Sequence, residues 1–269
     1  MRERLKQLTA VTTLVLVAGG SLVACSDKND PKADSAGDTL TQANFFDEVT
    51  QAQAKAGTSH IKMSTSVGGQ DVTSEGDIRI GKTPADTAMA MTMETGQGGL
   101  GSIEMRFVDE IFYLNFGPMT RNKFAKIDLN DKDNPISSQF GELVGNVDPA
   151  SQFEQFKGAV SEFDKKGEAI TLDGVKAQPY VVVVDTSKMP ATEKATDNTL
   201  PKTLEYTMYI GPDNLPRRIT SALPAAGGGT LTIDYSKWGE EVSIGKPKAS
   251  EITDEDLFSG LSPEGPEGA

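Results

Sequence analysis

The sequence predicts an α+β fold: a curved antiparallel β-sheet, a half-barrel, with helices packed on its concave face. Three observations carry that expectation. From Gly57 to Phe116 apolar and polar residues alternate with period two, interrupted only by short turn-forming clusters. A second alternating region runs from Glu168 to Tyr235. Ahead of each region lies a stretch with apolar residues at helical spacing, so the order is helix, meander, helix, strands.

The first helix is expected from Thr39, with Gln42 three residues on in capping-box spacing. Ala43, Phe46, Val49 and Ala56 form its apolar stripe, and Gly57 ends it as a C′ residue. Ile61, Met63, Thr65 and Val67 then alternate with His60, Lys62, Ser64 and Ser66, which marks a half-buried strand. Gly68-Gly69 turns the chain into Val72 to Ile80, and Thr83-Pro84-Ala85-Asp86 turns it again. Met89, Met91 and Met93 share one face of the next strand, and Ile103, Met105 and Phe107 one face of the strand after it. Asp109-Glu110 turns into Ile111 to Phe116, which closes a meander of five strands with one wet face.

A second helix is expected in the middle of the chain. Asp148-Pro149 places a cap before a first-turn proline, Ser151 and Glu154 repeat the capping-box spacing, and Phe153, Phe156, Val160 and Phe163 form a stripe. Strands resume at Glu168 to Leu172, turn at Asp173-Gly174 and continue through Tyr180 to Val184. Leu204 to Ile210, Arg217 to Ser221 and Thr230 to Tyr235 complete the sheet, with Gly211-Pro212-Asp213-Asn214 as a turn. There is no internal repeat.

The N-terminus addresses the chain. Arg2, Arg4 and Lys6 precede an uncharged, mostly apolar stretch, Leu8 to Val23, too short and too interrupted for a good membrane span. It ends in Leu22-Val23-Ala24-Cys25, which resembles the bacterial lipobox, a signal that implies diacylglycerol on the Cys25 thiol and cleavage just before it. Cys25 is the single cysteine, so no intramolecular disulfide competes for it. The expected organisation is therefore a signal peptide over 1–24, then the lipidated cysteine and a disordered tether over 25–38. A single domain follows over 39–249, and an acidic flexible tail over 250–269. As a coil the tether spans roughly 20 Å. The protein is expected on the extracytoplasmic face of a cell membrane, held there through its lipidated N-terminus.

Charge narrows the partners. The net charge of −13 becomes about −15 once residues 1–24, with three bases and one acid, are removed. Such a surface repels anionic headgroups and nucleic acid, so lipid must do the anchoring and no nucleic-acid partner is expected. Catalysis is not expected either. The one histidine, His60, stands at the start of a strand, facing away from Ile61, and Cys25 is committed to lipid. One His and one Cys do not make a zinc site. Asp128, Asn130, Asp131 and Asp133 hint at calcium, but Lys132 and the missing glycine break the loop pattern. No glycine cluster has the strand–loop–helix setting of a phosphate site. No cofactor or metal is expected.

The methionines are more informative. Met63, Met89, Met91, Met93 and Met105 all fall in the first meander, with Phe107 beside them. Methionine suits irregular apolar surfaces and variable apolar ligands, so these six residues are candidates to line a cavity for acyl chains. The alternative is an ordinary filled core.

The lipobox, the polar tether, the helix ending near Ala56-Gly57-Thr58-Ser59-His60 and the long hairpins resemble the LppX/LprG-type lipoproteins of actinobacteria. The run Tyr209-Ile210-Gly211-Pro212-Asp213-Asn214-Leu215-Pro216-Arg217-Arg218-Ile219, then Thr230 to Tyr235, Ser236-Lys237-Trp238-Gly239 and Val242 to Pro247, adds to the likeness. The resemblance covers most of residues 39–250. It implies a sheet wrapped over helices, similar to the LolA/LolB carriers, and binding or transfer of acylated lipids or lipoglycans in the cell envelope. It brings no catalytic motif. A surface-anchored interaction or sensor domain on the same scaffold, with a filled core and no lipid ligand, is the other reading.

Overall fold

The computed structural model describes residues 40–67, 70–95, 101–129, 157–188, 201–223 and 229–253. All of them lie in the unit Ser35–Ala269, so a chain starting at residue 26 contains every described element. Cys25, the Gly68-Gly69 turn, residues 130–133 and the apolar positions Phe153 and Phe156 lie outside the described residues.

Among the described residues one sheet dominates. The first meander comprises β1 (Thr58–Val67), β2 (Gln70–Arg79), β3 (Ala88–Thr95), β4 (Ser102–Val108), β5 (Ile111–Asn115) and β6 (Phe124–Asp128). The second set comprises β7 (Val160–Lys165), β8 (Ile170–Leu172), β9 (Val175–Asp185), β10 (Thr203–Ile210), β11 (Pro216–Ala222) and β12 (Gly229–Ser236), and β13 (Ile252–Thr253) follows. The order is β13-β6-β5-β4-β3-β2-β1-β12-β11-β10-β9-β7, with β8 paired only to β9. β1 and β12 are thus the seam between two meanders, and every pairing is antiparallel except that of β13 with β6.

The turns follow their residues. Asp109 and Glu110 both take positive φ, as do Asp173 and Gly174, the geometry of a two-residue turn that matches the twist of its strands. Asn214 supplies the left-handed position of the β10–β11 turn.

Helix α1 (Phe45–Ala56) is the one α-helix whose full span is described. It begins later than the capping-box spacing suggests. Residues 42–44 form a turn in which Asn44 Oδ1 accepts from the Thr41 backbone N–H and hydroxyl, so that side chain is spent on the preceding turn. Ala43 is exposed, while Phe45, Phe46, Val49 and Gln53 are buried. Gly57 takes the left-handed conformation (φ 76°) and donates to Gln53 O, as expected of a C′ glycine.

Three further expectations need correction. Val160 and Phe163 lie on a strand, β7, and not on a helix. A bulge between Val160 and Glu162 sets Val160 opposite Val184 and Phe163 opposite Val182, so residues three apart still face the same way. That spacing imitates a helix. The first meander has a sixth strand, β6, whose Phe124, Ala125 and Ile127 are all buried and therefore show no alternation. Beyond Ser250, where a loose tail was expected to have begun, Ala249–Glu251 form a 3-10 turn and β13 pairs with β6.

Candidate functional site: the apolar face of the sheet

Side chains directly opposite each other on paired strands share a face, so the register draws that face in rows. One row reads Ser59, Ile78, Met89, Phe107, Phe112, Ile127. The next reads Tyr235, Ile61, Gly76, Met91, Met105, Leu114. A third reads Tyr180, Met208, Ile219, Ile233, Met63, Ser74, Met93, Ile103. The five methionines and Phe107 therefore lie on one face, continuous with the apolar residues of the second meander. They differ in depth: Phe107 is fully buried, Met91 is 8% exposed and Met93 37%, with Met63, Met89 and Met105 between.

This face carries two separate cores. α1 packs on the second meander, where Leu40, Phe45, Phe46 and Val49 meet Tyr180, Val182, Val184, Met208, Ile210 and Ile219. Phe45 is the keystone there, with ring centroids 5.0 Å from Phe163 and 5.3 Å from both Phe46 and Tyr180. The second core gathers Phe107, Phe112, Leu114 and Ile127, with Met89, Met105, Phe116 and Leu129 packed against it. None of the five methionines belongs to the core beneath α1, so α1 is not the helix that would roof them.

Between the cores the floor is low. β2 contributes Ser74 and Gly76 to this face, opposite Met93 and Met91. Gly76 is required there, because a Cβ would run into the Ala90 carbonyl oxygen and the Met91 Cα. Small residues on β2 are thus flanked by flexible thioethers on β1 and β3.

The opposite face is polar along β1, β2, β11 and β12, whereas on β4–β6 it buries Val108, Tyr113 and Phe124. His60 Nδ1 lies 2.8 Å from Asp77 and Nε2 3.2 Å from Glu75, whose other oxygen lies 3.8 Å from Lys62 Nζ. Arg218 grips Asp234 through two bonds of 2.5 and 3.1 Å, and that hydrogen bonding raises its pKa. His60 thus stands among carboxylates, opposite Ser236 of β12. Asp128 lies at the end of β6, 3.7 Å from Lys126. Among the described residues no group of His, Cys, Asp and Glu could hold a metal ion, and no helix is long and apolar enough to cross a membrane.

Sequence reasoning passed over the polar residues at one end of the apolar face. Gln53 and Arg217 are 3% and 8% exposed, and Ser59 is fully buried. Tyr235 stacks on Trp238 (5.7 Å), whose indole donates to Pro216 O at 2.9 Å. Although Tyr235 keeps some accessible surface, burial pushes its phenol up to about 12. The signal for Gln53 was in the sequence: it lies four and eight residues beyond Val49 and Phe45, on the buried stripe.

An open, mostly antiparallel sheet with a helix against one apolar face is a fold found in a solved lipoprotein. The lipoprotein LppX of Mycobacterium tuberculosis has this fold, with a TM-score of 0.50 at 15% identity over 76% of this chain and 100% of that one. Two further solved structures are more distant. A DUF1329 family protein from Desulfovibrio piger gives a TM-score of 0.33 at 9% identity, over 77% of this chain and 96% of the other. A domain assigned to outer membrane lipoprotein sorting, from Vibrio parahaemolyticus, gives 0.26 at 7% identity, over 82% and 99%. No family model matches the sequence, and no curated protein does.

Proposed function

We propose that this chain is a membrane-anchored envelope lipoprotein that binds or carries an acylated lipid or lipoglycan on the methionine-rich part of the apolar face. One observation carries the reading: five methionines share one face, graded from buried to exposed, around the small residues Ser74 and Gly76. Flexible thioethers over small residues make a surface that repacks around chains of different shape. The sheet then acts as a half-barrel whose hollow holds the acyl chains, and Cys25 carries the anchor. Burying ten methylenes contributes roughly 8 kcal/mol before the ordering costs of binding. The protein has no catalytic role in this reading.

The filled-core reading draws on a specific feature, the closed packing of Phe107, Phe112 and Ile127. Mass spectrometry of lipids that co-purify with residues 26–269 separates the two. A stoichiometric acylated lipid is expected; a lipid-free chain that takes up no lipid on incubation would favour the interaction domain. Anchoring is tested separately: Cys25→Ala is expected to abolish acylation, and a processed variant still bearing acyl groups would refute the assignment.

A further inference from the structure

Four buried side-chain atoms without a hydrogen-bond partner are found among the described residues: Gln53 Nε2, Ser59 Oγ, Asn214 Oδ1 and Arg217 Nε. They are not scattered. Gln53 is in the last turns of α1, Ser59 is the second residue of β1, Asn214 is in the β10–β11 turn and Arg217 is the second residue of β11. β1 and β11 both pair antiparallel with β12, so they run the same way and their first residues lie at the same end of the sheet. α1 ends there too, joined to β1 through Gly57 alone. Arg217 is one residue before Arg218, which is on the polar face, and two before Ile219, which belongs to the core beneath α1. Its side chain therefore belongs to the apolar face.

The turn before Arg217 is shaped around its guanidinium. A Cβ on Gly211 would sit 3.4 Å from both Nε and Nη2 and 2.6 Å from Asp213 Oδ1, so the glycine leaves the space that this group fills. Asp213 Oδ2 takes the outer edge at 2.5 Å. Nε is left facing a buried setting with no acceptor. Buried donors in folded proteins almost always find a partner, in the chain, in ordered water or in a ligand.

Resting on the lipid-binding reading above, we infer that Arg217, Gln53 and Ser59 form a polar subsite at the α1 end of the apolar face that takes an oxygen acceptor of the lipid, the carbonyl or carboxylate oxygen at the head of an acyl chain. The guanidinium N–H and the amide NH₂ are pure donors, and the Ser59 hydroxyl can donate as well, so together they suit an acceptor. Asp213 already balances the charge of Arg217, so an uncharged ester carbonyl is as suitable as a carboxylate. The hydroxyl of Tyr235, on the same face, adds a further donor, and its raised pKa keeps it protonated. The placement also fits the methionines. From β11 to β3 is four strand steps, on the order of 20 Å, the reach of an extended long acyl chain lying across the apolar face with its oxygen end at Arg217 and its tail at Met91.

The test titrates palmitate, methyl palmitate and hexadecane against residues 26–269, read by displacement of diphenylhexatriene. Thermal stability is measured alongside for Gln53→Leu and Ser59→Ala. Wild type is expected to bind at least one oxygenated ligand about tenfold tighter than hexadecane, the discrimination a buried hydrogen bond provides. Comparing palmitate with its methyl ester identifies the acceptor as carboxylate or ester. Each variant is expected to lose that preference while keeping its affinity for hexadecane, with a melting temperature unchanged or raised, because an unpaired polar group is replaced by an apolar one. Equal binding of all three ligands by wild type, or a preference that survives in a folded variant, overturns the subsite and leaves the lipid reading standing. Failure of wild type to bind any of the three, or diphenylhexatriene itself, removes the lipid reading and the subsite with it.

Discussion

The two halves of the apolar face are built from different materials. Under α1 the second meander presents Tyr180, Val182 and Val184, rigid aromatic and β-branched residues, and Phe45 locks three rings around itself. On the first meander the same face presents five unbranched methionines around Ser74 and Gly76, beside the packed rings of Phe107 and Phe112. Rings and β-branched side chains have few rotamers and pack one way, whereas thioethers have three rotatable bonds and pack many ways. One half of the sheet is therefore braced by α1, and the methionine-bearing strands of the other are the part better suited to repacking.

Removing that brace should have the largest effect. Phe45→Ala is expected to destabilise the chain by about 3–5 kcal/mol, measured by denaturant unfolding of residues 26–269. A loss under about 1 kcal/mol would mean that α1 is dispensable, and the contrast between the halves would collapse.

On the adaptable half the effect should depend on depth. Gly76→Ala drives a methyl group into backbone that cannot turn aside, and is expected to cost about 1–3 kcal/mol. Met91→Glu buries a carboxylate at an 8% exposed position and is expected to cost a similar amount while weakening lipid uptake. Met93→Glu, at 37% exposure, is expected to stay within about 0.5 kcal/mol of wild type. Equal losses at Met91 and Met93 would make this half a filled core. A folded Met91→Glu with unchanged lipid uptake would take Met91 out of the site.

An effect confined to alkaline pH concerns Tyr235, at the boundary of the two halves. Its phenol is raised to about 12 in the folded chain, against about 10 when unfolded. Below pH 10 both states hold the proton and stability is unaffected. Between pH 10 and 12 the unfolded state loses it first, so stability falls as pH rises, by about 1–2 kcal/mol once partial solvent access is allowed for. Tyr235→Phe should flatten that alkaline decline. A decline of the same slope in the variant would place its origin elsewhere.

Where side-chain alternation was uninterrupted, the sequence alone was sufficient: the hairpins around Asp109-Glu110 and Asp173-Gly174 and the shared face of Met89, Met91 and Met93 follow from period two and turn chemistry. It failed where a local irregularity changed the period. The bulge in β7 spaced Val160 and Phe163 like a helix. β6 lost its alternation because Phe124 is covered on the polar side, beneath Arg106, whose guanidinium carbon lies 4.9 Å from the ring centroid. Asn44 was spent on Thr41, which shifted the helix start. The polar subsite was hidden for another reason. Gln53, Ser59 and Arg217 are ordinary residues one by one, and only the return of β12 to β1 brings them to one end of the sheet.

That return also dictates when the protein can fold. The centre of the sheet is closed by the first and last long strands, and the Thr58 hydroxyl bonds to Glu240 O across 182 residues of chain. Closing so long a loop is slow, and proteins dominated by such distant pairings fold late. The seam cannot exist until residue 236 has left the ribosome, so a nascent chain is only an unfinished sheet with β1 as an open edge. In the envelope role proposed above, where the chain would cross a membrane as an unfolded thread, the order of its strands is itself a delay against folding on the wrong side.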